Sequence, residues 1–123
     1  MDNPKRGEVW RVNFDPTQGA EIRKIRPAVV MSDNLIGRLP LKIVVPITEW
    51  DAIFLRYPWM TRLGLSTTSG LSKVSSADAY QVRSLSKGRF VAKIGELTAS
   101  EMEAIVDAIS LCVKARIDAG MNP

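Results

Sequence analysis

A chain of 123 residues with 46% hydrophobic composition is long enough to bury a real core as one domain, 1–123, without disulfides or a structural metal. Seventeen Lys and Arg against thirteen Asp and Glu leave a formal charge of +4, which favours a polyanionic partner without naming one. The sequence contains no histidine, and this removes His-based acid–base pairs, Ser-His-Asp triads and nearly all zinc sites, so any hydrolytic chemistry rests on other side chains.

Residues 8–14 alternate side chains with period two, which predicts a first strand with Trp10, Val12 and Phe14 on the core face. Asp15-Pro16-Thr17-Gln18-Gly19 is a turn-forming cluster. With residues 20–24 it makes a loop of about ten residues, long for a hairpin and a place where function tends to sit. The second strand covers 26–31 and is fed by Arg23, Lys24 and Arg26. Pro27 is tolerable at the beginning or edge of a strand, and it pushes Arg26 into extended backbone. A guanidinium held at the mouth of a buried strand suits an anionic ligand, because its planar donors match phosphate oxygens two at a time. Taken alone, the same position also suits an ordinary surface cation.

Residues 32–40 read as a turn containing Asn34 and Gly37. Residues 41–47 form a third strand, apolar on both faces near its centre and hence interior to the sheet, ending at Thr48. Residues 49–58 are aromatic without a clean period and read as a second long loop with a helical turn. A fourth strand spans 59–65, a polar turn 67–70, and a fifth strand 78–85. Residues 86–88 break the pattern, and 89–94 fit either a strand or a short helix.

Thr98-Ala99-Ser100-Glu101 is a capping box, with Leu97 placed to staple onto Met102. Met102, Ile105, Val106, Ile109 and Val113 follow at helical spacing, Glu103, Asp107 and Lys114 face solvent, and Gly120 ends the helix. The lone Cys112 lies in this apolar pattern and reads as a core residue rather than a nucleophile. About five short strands and one long final helix imply an α+β fold: a small, strongly bent antiparallel sheet or open barrel closed on one side by the helix. No stretch approaches the roughly 18 apolar residues that span a bilayer, and the N-terminus lacks a signal peptide's apolar region, so the expectation is a soluble, cytoplasmic protein.

The Gly, Ser and Thr run at 64–73 is no phosphate loop, since Gly70 is followed by Leu71-Ser72 where Lys and Ser or Thr would be needed. Glu49 and Asp51 lack a third ligating partner, so no metal site is predicted. Trp10 belongs to the core, whereas Trp50 lies in a loop with no apolar face to bury it and is better placed to stack on a base. Arg23, Lys24, Arg26, Arg56, Arg62, Lys73, Arg83, Lys87 and Arg89 are spread over many segments and would act together only where the fold converges them.

The runs Arg6-Gly7-Glu8-Val9-Trp10, Asp15-Pro16-Thr17-Gln18-Gly19-Ala20-Glu21, Arg26-Pro27-Ala28-Val29-Val30 and Val45-Pro46-Ile47-Thr48 recur in this order together with Gly70-Leu71, Gln81-Val82-Arg83, Arg89-Phe90 and Ile94-Gly95-Glu96-Leu97-Thr98. In that combination, over nearly the whole chain, the sequence resembles the MazF/PemK toxins of bacterial toxin-antitoxin pairs. The resemblance implies a homodimeric endoribonuclease on an SH3-like β-barrel with a long C-terminal helix. Such a protein cleaves single-stranded RNA at short preferred sequences without a metal or other cofactor, and is silenced by a cognate antitoxin. The family's catalytic arginine and threonine match Arg26 and Thr48, and the acidic residue of its first long loop matches Glu21, which is expected to join them in catalysis. Arg23, Lys24, Trp50, Arg56 and Arg83 are the expected RNA contacts.

The chemistry suits these residues. With no histidine, stabilisation of charge on the phosphorane has to dominate cleavage by a neighbouring 2′-OH, and preorganised donors are often the largest catalytic term. The chain departs from the family at Tyr80, where several members carry an acidic residue just before the glutamine, although Asp78 stands two positions earlier. Thr48 is followed by Glu49 and Trp50 instead of small polar residues. The alternative reading is a non-catalytic protein on the same fold, either a toxin that poisons gyrase or a module that binds nucleic acid without cutting it.

Overall fold

Period-two patterning becomes seven strands in the computed structural model, which describes residues 3–36 and 39–114. These are β1 (Glu8–Asn13), β2 (Ile25–Val30), β3 (Leu41–Glu49), β4 (Met60–Leu63), β5 (Ser75–Asp78), β6 (Arg83–Ser86) and β7 (Phe90–Glu96), followed by one α-helix, α1 (Ala99–Cys112). Gly37, assigned to a turn, and Gly120, assigned to the helix end, lie outside the described residues. Every ladder is antiparallel, in the order β4-β5-β3-β2-β1-β7, with β6 also on β3. The sheet is not closed: among the described residues no ladder joins β7 to β4.

β3 is the interior strand that its two-sided apolar centre implies. It pairs with β6 from Leu41 to Val44, with β2 from Val44 to Pro46, and with β5 from Ile47 to Glu49. Alternation then sorts the side chains into two cores on opposite faces. On one, Val9, Val29, Val45, Ile47, Leu63 and Leu71 meet Met102 and Ile105 of α1. On the other, Trp10, Val12 and Phe14 meet Ala28, Val30, Val44, Leu85 and Phe90, with the Trp10 and Phe90 rings edge to face at 5.8 Å. The sequence pattern marks only the second face of β1 as core, but Val9 is fully buried too. The helix covers that side, and a strand covered on both faces loses its polar alternation.

The capping box forms as expected, Thr98 Oγ1 accepting from Glu101 N at 3.1 Å and Glu101 Oε1 from Thr98 N at 2.8 Å. Such a cap contributes about 1 kcal/mol, whereas fully burying Ile105 alone is worth about 1.5–3 kcal/mol, so packing more than capping seats α1. Val106 and Val113 are exposed and the helix ends at Cys112, which is only half-buried and not a core residue. Partial burial, and next the charge of Asp78, raise the Cys112 thiol pKa.

One strand of the sequence pattern is divided, and one open stretch is resolved. The single strand expected over 78–85 is the end of β5, a 3-10 helix at Ala79–Gln81, and β6. Asp78 causes the break, because its carboxylate accepts from Tyr80 N at 3.1 Å and closes a local turn in place of another ladder step. The ambiguous stretch at 89–94 is β7, paired with β1.

The turn at 68–70 crosses β7 at backbone distance. Glu96 N donates to Thr68 O at 2.9 Å. Gly70 has φ +74° and a Cβ there would lie 2.0 Å from Ile94 O, while a Cβ on Gly95 would lie 2.3 Å from Ser69 C and O. Only glycine fits at either position. Replacing Gly95 by Ala is expected to lower stability by about 1–3 kcal/mol or more, as overpacking against immovable backbone does. Gly64→Ala, where nothing lies within 4 Å, should stay within about 0.5 kcal/mol of wild type in the same thermal unfolding series.

A polar seam joins β1 to β7. Burial pushes the Glu8 pKa up, but donation from Lys5 N at 2.8 Å and Trp10 Nε1 at 2.9 Å, with Lys93 Nζ at 3.1 Å, more than offsets it, and the pKa lies below the ordinary value of 4.5. A carboxyl whose folded pKa is lowered adds stability above its unfolded pKa and loses it as pH falls through the folded value. Glu8→Gln should therefore cost about 1 kcal/mol at pH 7. In denaturant titrations the gap to wild type should narrow as pH drops below 4.5.

Candidate active site

The β2–β3 ladder runs Val30 to Val44, Val29 to Val45 and Ala28 to Pro46, and there it stops. Pro27 and Pro46, which flank this point, have no N–H to extend it. Beyond them β2 stays with β1, placing Arg11 opposite Pro27 and Val12 opposite Arg26. β3 turns to β5, placing Thr48 opposite Ser76 and Glu49 opposite Ser75. The two strands fork, and a cavity of about 430 Å³ opens in the fork. Continued by two residues, the lost register would have set Arg26 directly across from Thr48. Both line the cavity.

Its apolar lining is Ile25, Pro27, Ile47, Leu71 and Ile94, of which the last three are continuous with the core under α1. Its polar lining is Arg11, Arg26, Thr48, Glu49, Ser72, Lys73 and Ser75. Thr48 is half-buried on a backbone fixed by the β5 ladder. Arg26 is exposed, its backbone is extended in β2, and its side chain makes no hydrogen bond or ion pair among the described residues. Glu49 and Lys73 pair at 3.4 Å across the rim. Among the described residues three cations stand against one carboxylate beside a fixed hydroxyl, a charge balance that suits a phosphate group. No three His, Cys, Asp or Glu side chains gather as metal ligands would among the described residues.

Glu21 stands elsewhere. It lines a second cavity of about 560 Å³ with Tyr80, Gln81 and Arg83, and its carboxylate accepts from Gln18 N at 2.6 Å. The loop that carries it is tied down from the far side of the chain, for Ile22 N donates to Gln81 Oε1 at 2.7 Å and Gln81 Nε2 donates to Asp78 Oδ2 at 3.1 Å. Asp78 is 6% exposed. Burial raises its pKa, and the hydrogen bonds from Gln81 and Tyr80 offset this only in part. It therefore serves as a hub that orients Gln81, and neither it nor Tyr80, 68% exposed, lines the cavity at Arg26.

The five cationic and aromatic residues expected to contact a ligand do not join that cavity. Arg83 lies by Glu21 with its guanidinium 5.8 Å over the Phe14 ring. Arg23 and Lys24 are exposed in the approach to β2, with Lys24 N bonded to Asp15 Oδ1 at 2.9 Å. Arg56 is exposed at the end of the 3-10 helix Ala52–Arg56. Trp50 is half-buried, Phe54 edge-on at 5.7 Å and the Arg62 guanidinium 5.2 Å over its ring, at one end of an aromatic row that continues through Tyr57 and Trp59 to Tyr80. Arg11, Ser72, Lys73 and Ser75 line the cavity without having been singled out as site residues. Lys73 follows Gly70-Leu71 closely in sequence, a usable signal, but Arg11 is found only once its register opposite Pro27 is known.

Residues 5–113 match the model of the PemK-like, MazF-like toxins of type II toxin-antitoxin systems. The endoribonuclease MazF9 of Mycobacterium tuberculosis is 34% identical over 113 residues, covering 87% of this chain and 93% of that protein. Among solved structures, MazF from Deinococcus radiodurans superposes with a TM-score of 0.77 at 25% identity, covering 93% of this chain and 99% of that one. A mycobacterial endoribonuclease in complex with its cognate antitoxin superposes with a TM-score of 0.71 at 19% identity, covering 96% and 100%, a likeness of fold.

The Asp78–Gln81–Ile22 tie can be tested without substrate. Gln81→Ala removes both hydrogen bonds, and amide exchange at Ile22 is expected to quicken about tenfold or more while amides of the buried β1 and β3 ladders keep their protection.

Proposed function

Because the chain belongs to the PemK-like, MazF-like toxins of type II toxin-antitoxin systems, we propose that it is an endoribonuclease toxin restrained by a cognate antitoxin and that its reaction centre is the cavity shared by Arg26 and Thr48. The convergence of those two side chains in the β2–β3 fork carries this reading. The substrate is single-stranded RNA, met in the cytoplasm by a homodimer of one toxin domain spanning 1–123. Strands β7-β1-β2-β3-β6, wrapped around Trp10, Val12 and Phe90, support an SH3-like barrel as the finer description of the fold.

Cleavage begins when the 2′-oxygen attacks the adjacent phosphorus. The P–O5′ bond breaks, and the products are a 2′,3′-cyclic phosphate and a 5′-hydroxyl. Two protons must move, one leaving the 2′-OH and one reaching the 5′-oxygen. Arg26, exposed and free of a competing partner among the described residues, offers paired donors to the non-bridging oxygens as charge grows on them. A guanidinium is a poor acid, so its contribution is electrostatic. Thr48 hydrogen-bonds the phosphate or orients the 2′-OH from a backbone that the β5 ladder holds rigid. Among the described residues Glu49 is the sole carboxylate in the lining and stands exposed at its rim, so solvent takes the 2′-OH proton and supplies the one that the leaving 5′-oxygen receives. Glu21, Arg83 and the Trp50 row stand apart from the phosphorus and contact neighbouring nucleotides, where they influence which sequences are cut. No step of this scheme requires a metal.

Purified protein incubated with a long single-stranded RNA in EDTA is expected to give discrete fragments with 5′-hydroxyl ends. Arg26→Ala should slow cleavage by about 100-fold or more, the scale of losing a principal charge-stabilising donor, and Thr48→Val by about tenfold. RNA that shifts in a gel but never shortens would point instead to a non-catalytic binding protein.

A further inference from the structure

Two cations of the fork cavity, Arg11 and Lys73, have no role in the scheme above. We propose that they form, with Arg26, a track for the RNA backbone that holds the phosphates flanking the scissile one, and that Glu49 keeps Lys73 at the rim until a phosphate displaces it. The proposal rests on the reading of the cavity as an RNA-cleaving site and extends it to substrate grip.

The position of Arg11 is the first argument. It shares a strand face with Val9, two residues earlier, which is fully buried under the helix. An arginine continuing that face would be out of place unless the core gives way there to a ligand site, and it does: Arg11 lines the cavity. Its backbone is held on both sides, opposite Pro27 of β2 and Ala92 of β7. Its side chain makes no hydrogen bond or ion pair among the described residues.

Charge is the second. Among the described residues Arg11, Arg26 and Lys73 meet one carboxylate, so like charges gather in the cavity and an anion offsets their repulsion. The Glu49–Lys73 pair is more than 60% exposed on each side chain, at 66% and 68%. An exposed pair of this kind is weak and screened by salt, and an incoming phosphate with its denser charge competes with it readily. The third argument is chemical selectivity: the lining contains no aromatic ring, so the cavity offers nothing to stack a base and reads the sugar-phosphate chain.

The test uses a fluorescent RNA with every 2′-OH methylated, which removes the nucleophile and leaves binding alone, measured by anisotropy across a salt series. Arg11→Ala and Lys73→Ala are each expected to weaken binding about five- to tenfold at low salt. Each should also flatten the plot of log affinity against log salt by about 0.7, the value of one phosphate contact on a single strand. Glu49→Gln should tighten binding severalfold. On cleavable RNA, both alanine variants should raise KM more than they lower kcat. Lys5→Ala, a charge loss away from the cavity, should change neither. Thermal unfolding checks that the variants are folded, and Lys73→Glu, exposed and charge-reversed, should exaggerate the loss. Wild-type affinity and slope in Arg11→Ala and Lys73→Ala would overturn the proposal, as would wild-type protein that fails to bind the methylated RNA. If wild type binds it with the expected variant effects yet cleaves no RNA, the nuclease reading fails and the backbone track stands.

Discussion

The structure turns on one strand changing partners. Backbone hydrogen bonding is obligatory for buried residues, so β3 cannot simply leave β2. It must exchange that ladder for another, and it does so at Ala28 opposite Pro46, where β5 takes over. Prolines at 27 and 46 make the exchange inexpensive, because neither has a donor to strand. Arg26 and Thr48 each stand two residues beyond the last pair of the β2–β3 ladder, and the cavity is the space the strands' separation leaves.

The fork also accounts for the two cores. Before it, β1, β2 and β3 form a continuous sheet with apolar side chains on both faces, Val9, Val29 and Val45 on one and Trp10, Ala28 and Val44 on the other. After it, β3 carries Ile47 into the small β4–β5 sheet under α1. The apolar floor of the cavity is thus the exposed end of the helix-side core, and the polar rim is whatever the diverging strands present. Rigidity comes from below and chemistry from the edge, an arrangement that suits electrostatic catalysis, where donors must already be in place when charge develops.

Much of this was legible in the sequence, for identifiable reasons. The capping box at Thr98, the two-sided apolar run of β3 and the alternation of β1 are local patterns, and local patterns survive folding. Arg26 beside Pro27 and Thr48 at the end of an interior strand could be placed at strand ends for the same reason. What escaped depends on register. That Arg11 and Lys73 stand with Arg26, and that Glu21 and Arg83 share another cavity, follow from which residues face each other across ladders and loops, which no period reveals. The division of 78–85 escaped differently: a single carboxylate, Asp78, closed a turn inside a stretch whose composition reads as strand. Trp50 was expected to lack an apolar surface, but its surface is the row of aromatic rings from its own loop, a tertiary arrangement of residues with no clean helical or strand period.

The crossing of Gly70 and Gly95 involves main chain on both sides. Packing made of side chains drifts by compensating substitutions, a larger residue here accommodated by a smaller one there. A contact made of peptide groups has no such freedom and acts as a fixed datum. Leu71, Ser72 and Lys73 begin one residue beyond it, so this wall of the cavity is held by atoms that every amino acid has in common. The chemistry of the rim can therefore be rewritten residue by residue without moving the wall.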